Sequence, residues 1–169
     1  MLENELVRQM VQLRRQMDSL VKPEVPRRGG VAAYNNANLP VNSGVFTALN
    51  LNSERWDDAD FHSVVVNTSR LTVPAGYAGC YSIAGHFVFD ANVNGVYRMG
   101  LIYLNGATYI AGQSAPFTTG GWVYITVGTE YDLADGDFVQ LVAGQDSGVP
   151  VNVLSLGNYS PEFRMERVG

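Results

Sequence analysis

The chain has 169 residues, of which 46% are hydrophobic and 16% charged, with 18 glycines and seven prolines. This composition suits a compact, turn-rich β domain behind a short stalk better than a disordered chain. Residues 1–28 hold six basic and four acidic residues, whereas residues 29–169 hold five basic and twelve acidic ones. The acidic body argues against a nucleic-acid partner, which needs clustered Lys and Arg.

Cysteine usage and hydropathy exclude further classes. Cys80 is the single cysteine, so the chain has no internal disulfide and no cysteine metal site. Glu3, Glu5 and Arg8 interrupt any apolar run at the start, and no stretch is long enough to insert in a membrane. We therefore expect a protein made in a cytoplasm, with no membrane insertion.

The first predicted element is a coiled-coil stalk over residues 1–22. Apolar residues alternate four and three positions apart, as Leu6, Met10, Leu13, Met17 and Leu20. This spacing is a heptad seam about three heptads long, which a single helix cannot bury. The stalk therefore predicts self-association, although Met at the a positions does not set the number of chains.

Residues 23–30 are predicted to be a linker, because Pro23 and Pro26 end the helix and Gly29-Gly30 allow a bend. From residue 31 to 169 the apolar period is two. The candidate strands are 31–34, 44–50, 62–67, 70–73, 79–90, 96–104, 107–111, 121–128, 137–144, 150–154 and 162–168. Asn105-Gly106 is the clearest hairpin signal, since Asn-Gly suits a type I′ turn. Ten or so short strands predict a sandwich or a jelly roll.

The segment 79–90 has two distinct faces. The side that carries Tyr81, Ile83, Phe87 and Phe89 is predicted to lie in the core. The opposite side carries small or weakly polar residues, namely Cys80, Ser82, Ala84, His86 and Val88. Such a face suits contact with a neighbouring subunit or cover by another part of the same subunit.

Several motifs resemble the C1q/TNF-like jelly roll. In RLTVPAGYAGCYSIAGHFVF (70–89), a proline-to-glycine turn leads into a Gly-x-Tyr strand, matched by Gly79 and Tyr81. Asn105-Gly106 falls at the family's Asn-Gly hairpin. LADGDFVQL (133–141) resembles the family's leucine-x-x-Gly-Asp-x-Val strand entry. The resemblance covers residues 45–169 and implies a homotrimer, often on a coiled-coil or collagen-like stalk.

The variant is more similar to the C1q-like modules of bacteriophage structural proteins than to animal ones. LNLNSERWDDADFHSVVVNTSRLTVP (49–74) resembles their opening and SPEFRMERVG (160–169) their last strand. Met165 stands two residues after Phe163, where the animal pattern has glycine. This departure argues against the animal type of ligand binding but not against the fold. The expected fold is an all-β C1q/TNF-like jelly roll of about ten strands after a short coiled-coil helix.

Little in the sequence predicts catalysis. His62 follows an acidic turn and His86 lies in mid-strand, and there is no Gly-x-Ser-x-Gly motif to place a nucleophile. A glycosidase needs two carboxylates across a cleft, whereas the candidate aspartates lie in turns that Asp favours for its own backbone hydrogen bonds. We therefore expect no enzyme activity and no organic cofactor.

The sequence contains candidate residues for two kinds of binding, of Ca²⁺ and of a glycan. Asp135 and Asp137, followed by Asp57, are candidate Ca²⁺ ligands if carboxylates from three subunits converge. Four aromatic residues around the loop 111–122 are candidates for stacking on a host glycan, namely Tyr109, Phe117, Trp122 and Tyr124. Ordinary core and interface packing is the alternative use of such rings.

These features together predict a trimeric bacteriophage virion protein, such as a head fibre, a capsid decoration protein or a tail-fibre component. The stalk would contact other virion proteins and the jelly roll would project. The alternative is a receptor-binding module that recognises a host-surface glycan or protein.

Overall fold

The computed structural model describes residues 9–14, 29–116 and 121–169. Residues 9–14 are helical, and the described part of the body is built from twelve β-strands and one 3₁₀ turn, Gly157–Tyr159. The strands are β1 (Gly30–Tyr34), β2 (Leu39–Val41), β3 (Thr47–Ala48), β4 (Ser53–Asp57), β5 (Leu71–Thr72), β6 (Gly79–Phe89), β7 (Tyr97–Leu104), β8 (Thr108–Pro116), β9 (Val123–Leu133), β10 (Phe138–Gln145), β11 (Val151–Val153) and β12 (Glu162–Arg167).

The strands form two antiparallel sheets that pack face to face. The larger sheet contains β1, β2, β4, β6, β9, β11 and β12, and the smaller contains β3, β5, β7, β8 and β10. Strand β6 is central to the larger sheet, because it pairs along its whole length with β9 on one side and with β12 and then β11 on the other. The all-β sandwich predicted from the sequence is confirmed.

The core face of strand β6 is as its sequence predicts, whereas on the opposite face Ser82 is exposed and Val88 is buried. Tyr81, Ile83, Phe87 and Phe89 are buried between the sheets. Gly85 shares this face, and a Cβ there would lie 2.8 Å from Leu141 Cδ1 of the smaller sheet. The strand therefore contributes large rings at most core positions and an open backbone at the point where the opposite sheet comes closest.

The sandwich has two ends, which we call the base and the tip. The base is the end at which the chain enters at Gly29 and leaves β12, where the Arg167 N–H donates to the Gly29 carbonyl at 2.9 Å. The tip is the opposite end. Its described loops are residues 35–38, 42–46, 49–52, 90–96, 121–122, 146–150 and 154–161.

The Asn105-Gly106 hairpin is confirmed. Both residues have positive φ angles, 51° at Asn105 and 72° at Gly106, as a type I′ turn requires. The turn joins β7 to β8 at the base. It is also joined to the turn between β9 and β10, because Asn105 Nδ2 donates to Asp137 Oδ1 at 2.9 Å.

The predicted strand 62–67 is wrong, because this segment is a loop. The three valines that suggested a strand, Val64, Val65 and Val66, are exposed. Side chains bond the backbone locally: Asp57 accepts the His62 N–H at 2.8 Å, and Ser63 Oγ accepts the Val66 N–H at 3.1 Å. These local bonds take backbone donors that a strand would use for pairing.

Other boundaries also differ from the sequence prediction. Strands β2 and β4 were not predicted, since β2 contains Pro40 and β4 is a charged edge strand with three exposed residues. The candidate 44–50 shortens to β3. The candidate 107–111 extends to Pro116 as β8, and the candidate 121–128 extends to Leu133 as β9. Pairing of β8 with β7 and of β9 with β6 continues through Gly, Ser and Thr residues, which do not show the apolar alternation of a strand.

The predicted stalk lies largely outside the described residues. Met10 and Leu13 fall in the helical stretch 9–14 and are both exposed in the single chain. Leu6, Met17 and Leu20 lie outside it, so the seam stays a prediction. Within the ranges that the structure describes, we find no helix of the length and apolarity needed to cross a bilayer.

Gly100 offers a test of how closely the two sheets approach. A Cβ at this position would overlap Ile125 Cγ2 and lie 3.2 Å from the Phe87 ring, both on the facing sheet. We expect Gly100→Ala to lower the free energy of unfolding by about 1–3 kcal/mol through overpacking. Chemical denaturation measures the loss. Gly121→Ala is the matched control, because a Cβ there meets nothing within 4 Å, and equal stability of the two variants would contradict the packing.

Candidate functional site

The outer surface of the larger sheet around β6 is the first candidate site, and we call it the open face. Its side chains come from three neighbouring strands: Cys80, Ser82, Ala84 and His86 from β6, Tyr124, Thr126, Gly128, Glu130 and Asp132 from β9, and Glu162, Arg164 and Glu166 from β12. Small residues lie at its centre. Ser82, Thr126 and Gly128 are exposed, so no loop of residues 29–116 or 121–169 covers them.

The register of the three strands creates a depression in the open face. Ala84 lies between Gly128 of β9 and Arg164 of β12, and His86 lies between Thr126 and Glu162. The depression has a volume of about 200 Å³ and is lined by Ala84, Gly85, His86, Thr126, Glu162 and Arg164. It has room for part of one side chain from another molecule.

An ion pair orders one margin of the open face. Arg55 of edge strand β4 donates through Nε to Glu162 Oε2 and lies 4.9 Å above the ring centre of Tyr34. The hydrogen bond and charge of Glu162 raise the pKa of Arg55. The guanidinium is thus held at the sheet margin, and Arg55 does not line the depression.

The open face does not assemble a nucleophile. Cys80 and His86 both project from β6, but they are six positions apart along the strand, which separates them by about 20 Å. Burial and the nearby Asp132 raise the pKa of the Cys80 thiol, which disfavours the reactive thiolate. Neither feature supports covalent chemistry at Cys80.

The three candidate calcium ligands bind backbone N–H groups. Asp135 accepts from Gly76, Tyr77 and Ala78 at 2.8–3.1 Å, and these bonds lower its pKa. Asp137 accepts from the Ala134 N–H and from Asn105, and Asp57 accepts from Ala59, Phe61 and His62. No group of three or more His, Cys, Asp or Glu residues suited to a metal ion occurs in the described chain. Calcium binding therefore stays a prediction, and the contacts seen at these residues join turns.

The candidate glycan-binding aromatics fall into two separate places. Tyr109 lies near the base on β8, where it is the register partner of Tyr103 on the adjacent strand β7. Trp122 and Tyr124 lie at the tip, on the other sheet, and Phe117 is outside the described residues. The structure brings Tyr124 together with Tyr159, at 6.2 Å between ring centres in an edge-to-face arrangement. The sequence did not indicate Tyr159, because 35 residues separate it from its partner.

Comparison with known proteins identifies the fold. No protein-family model matches the sequence, and no curated protein matches it. The chain is similar to the globular domain of zebrafish complement 1qA protein, with a TM-score of 0.58 and 12% identity over 83% of this chain and 98% of that chain. It is also similar to murine APRIL, with a TM-score of 0.62 and 8% identity over 83% and 98%. The chain has a C1q/TNF-like jelly-roll fold.

The tip of this jelly roll is nearly free of charge. Its described loops contain two charged residues, Asp90 and Asp146, and both carboxylates accept backbone N–H groups. Hydrogen bonds from Tyr97 and Val96 lower the pKa of Asp146. The remaining tip residues are mainly Asn, Ser, Gly and exposed apolar or aromatic side chains, which favours contact with neutral partners.

A buried arginine fixes one of the tip loops. Arg98 is fully buried on β7, and its guanidinium donates to the carbonyls of Tyr97 and Asn94 at 2.9 and 3.0 Å. Burial lowers the pKa of Arg98, and Asp146 Oδ1 lies 3.9 Å from Arg98 Nη1. This residue is not predictable from the sequence, because a lone arginine in an apolar strand forms no pattern.

Substitution of Asp135 tests whether its carboxylate has a structural role. Its pKa is lowered in the folded state, so it stabilises the fold above the pKa of the unfolded chain, about 3.9, and this contribution disappears as the pH falls. We expect Asp135→Asn to lower the midpoint of thermal unfolding at neutral pH. Because asparagine does not titrate, we also expect the midpoint of the variant to fall less than that of the wild type as the pH is lowered.

The matched control is Asp60→Asn, a turn aspartate with a positive φ of 61° that Asn also tolerates. Thermal unfolding of both variants is followed from neutral to acidic pH, without and with added Ca²⁺. A calcium-dependent rise in midpoint that Asp135→Asn abolishes would instead support the metal site.

Proposed function

We propose that this chain is a non-enzymatic, homotrimeric structural protein of a bacteriophage virion, such as a head fibre, a capsid decoration protein or a tail-fibre component. The jelly roll is the projecting head, and the heptads of residues 1–22 are the stem that joins it to other virion proteins. The observation that carries the proposal is the open face, a wide sheet surface with small side chains at its centre and a shallow depression.

The chemistry of the open face suits association between copies of the chain. A sheet with Ala84, Gly128 and Ser82 at its centre lets another surface approach closely. Arg164 and the acidic residues around it offer both signs of charge to that surface. A threefold interface is heterologous, so the open face of one subunit would contact a different surface of the next.

The entry point of the chain supports a stem at the base. Gly29 leads directly into β1, beside the end of β12, so a stem formed by the preceding residues would join the head at the base. A helix of about 20 residues spans about 30 Å. The stem would therefore space the head from its platform and leave the tip outermost.

The assignment to a virion rests on sequence resemblance. The two stretches similar to phage C1q-like modules, residues 49–74 and 160–169, contain β4, β5 and β12. Both segments therefore belong to the jelly roll. They support a phage structural role, which imaging of virions labelled with an antibody against this chain tests directly.

Substitution in the depression tests the trimer. We expect the wild-type chain to have three times its 18.4 kDa mass in native mass spectrometry and sedimentation. Ala84→Arg adds bulk and a second positive charge beside Arg164, so we expect it to shift the protein toward monomers at micromolar concentration. The side chain points out of the core, so the fold should survive, as circular dichroism will show.

Ser114→Arg is the matched control, since Ser114 is exposed on the smaller sheet. It should leave the trimer intact. A wild-type chain that is monomeric at micromolar concentration would overturn the proposal, as would an Ala84→Arg variant that stays as trimeric as the wild type.

A second candidate function, receptor binding, is favoured by the aromatic pair at the tip. Tyr124 and Tyr159 are 54% and 60% exposed although their rings touch. Trp122, two residues before Tyr124 in the sequence, is also exposed. Exposed aromatic rings among Asn, Ser and Gly are typical of surfaces that recognise sugars or proteins.

Replacement of these rings distinguishes binding from assembly. We expect Trp122→Ala and Tyr159→Ala to weaken binding to host-surface polysaccharides by at least about tenfold, as loss of a central aromatic contact does, and to leave the trimer unchanged. Binding to immobilised polysaccharide preparations and native mass are measured together. Tyr109→Ala, an exposed tyrosine near the base, is the control. Unchanged polysaccharide binding would contradict this second function, and dissociation of the trimer would assign the rings to the interface.

A further inference from the structure

The chain contains two Asn-Gly dipeptides, Asn94-Gly95 at the tip and Asn105-Gly106 at the base. Such a dipeptide is prone to lose the side-chain ammonia of its asparagine. The main-chain nitrogen of the next residue closes a five-membered ring on the side-chain carbonyl, and glycine leaves that nitrogen unhindered. All four residues are exposed, so the contacts of each asparagine decide which dipeptide reacts.

The Asn105 side chain is held at both of its polar atoms. Nδ2 donates to Asp137 Oδ1 at 2.9 Å, and Oδ1 accepts the Phe138 N–H at 3.0 Å. Ring closure at this position has to break both hydrogen bonds, and with them the link between two turns of the base. The fold therefore protects Asn105.

The Asn94 side chain has no such restraint. Within the described part of the chain, no residue forms a hydrogen bond with the Asn94 side chain or with the Gly95 N–H. The fold also requires glycine at position 95, because its φ is 89° and a Cβ would lie 2.5 Å from Asp146 Oδ1. A structural need for glycine thus leaves the nitrogen after Asn94 open to reaction.

The buried guanidinium of Arg98 lies at the peptide group that reacts. Its Nη2 donates to the Asn94 carbonyl oxygen at 3.0 Å. The nucleophile is the deprotonated Gly95 nitrogen, whose negative charge is shared with that oxygen. A donor already in place where charge develops favours the reaction. The nearby carboxylate of Asp146 opposes it, but Asp146 Oδ1 accepts two backbone N–H groups that offset part of its charge.

We propose that Asn94-Gly95 is a self-modifying site of the tip, at which the folded chain converts Asn94 to aspartate and isoaspartate. The Gly95 nitrogen loses its proton and bonds to Asn94 Cγ, the Cγ–Nδ2 bond breaks, and ammonia leaves with the proton. Water then opens the cyclic imide, at Cγ to give aspartate or at the main-chain carbonyl to give isoaspartate. The sum is hydrolysis of one amide by solvent water. This inference does not rest on the proposed virion function.

Both products change the chemistry of the tip. Each adds a negative charge to loops whose described residues otherwise contain two charged ones, Asp90 and Asp146. Isoaspartate also lengthens the main chain by one carbon, directly before the N–H groups that Asp146 accepts. The oxygen that accepts from Arg98 then belongs to a free carboxylate, beside a buried Nε that has no hydrogen-bond partner in the described chain. Charge-assisted bonds to that guanidinium favour this product.

The test follows both dipeptides in the full chain during incubation in mildly alkaline buffer. Peptide mapping by mass spectrometry measures conversion at each asparagine, and an isoaspartate-specific methyltransferase separates the two products. In the folded chain we expect Asn94 to convert at least about tenfold faster than Asn105, because Asn105 has to break two hydrogen bonds first. In urea, where the fold no longer protects either site, we expect the two rates to agree within about threefold.

Two variants identify the modified residue. Ion-exchange chromatography of the aged folded chain should show a more acidic form. Asn94→Gln should abolish this form, because glutamine would need a six-membered ring that closes far more slowly. Asn158→Gln is the matched control, since Asn158 is another exposed tip asparagine but is followed by the bulky Tyr159, and it should leave the acidic form unchanged.

Three results would overturn the proposal. The first is equal conversion of Asn94 and Asn105 in the folded chain. The second is conversion of Asn94 that is about tenfold slower in the folded chain than in urea, which would show that the fold protects this site as well. The third is an acidic form that persists in Asn94→Gln.

Discussion

The close approach of the two sheets across β6 is the constraint on which the rest of the structure depends. Large rings from β6 fill most of the space between the sheets, and Gly85 and Gly100 leave room where Leu141 and Ile125 face the opposite backbone. Since protein interiors are packed as densely as organic crystals, this spacing leaves little freedom to either sheet. The same strand supplies the centre of the open face, so core packing on one side fixes the position of the surface on the other.

Acidic side chains hold the turns at both ends of this packed centre. Asp135 joins the turn after β9 to the loop before β6, and Asp146 joins the end of β10 to the start of β7. In each case one carboxylate satisfies two or three backbone N–H groups that have no strand partner. The acidic composition of the body is thus in part a consequence of its topology, because a jelly roll has many loops whose donors need acceptors.

The sequence indicated the parts of this structure that local patterns determine. Strand β6 and the Asn105-Gly106 turn were predictable because alternation and positive φ are local properties. The loop 62–67 was not, since its valines have strand propensity and only the contacts of Asp57 and Ser63 show why the segment turns. The residues of the candidate sites also divide into those that local patterns predict and those that only the fold identifies. Tyr124 was predicted from its neighbours, whereas Tyr159 lies 35 residues further along the chain and only the fold brings it to Tyr124.

The positions of Gly29 and Gly169 have a consequence for the architecture of any larger assembly. The Gly29 carbonyl accepts from Arg167, and the Gly169 carbonyl accepts from Cys80 at 3.2 Å, so both ends of the domain lie on the same side of it. Sequence added before Gly29 or after Gly169 emerges from this side, away from the tip. A fusion partner joined on either side of the domain would therefore attach at the base, and its exchange would leave the surface of the tip unchanged.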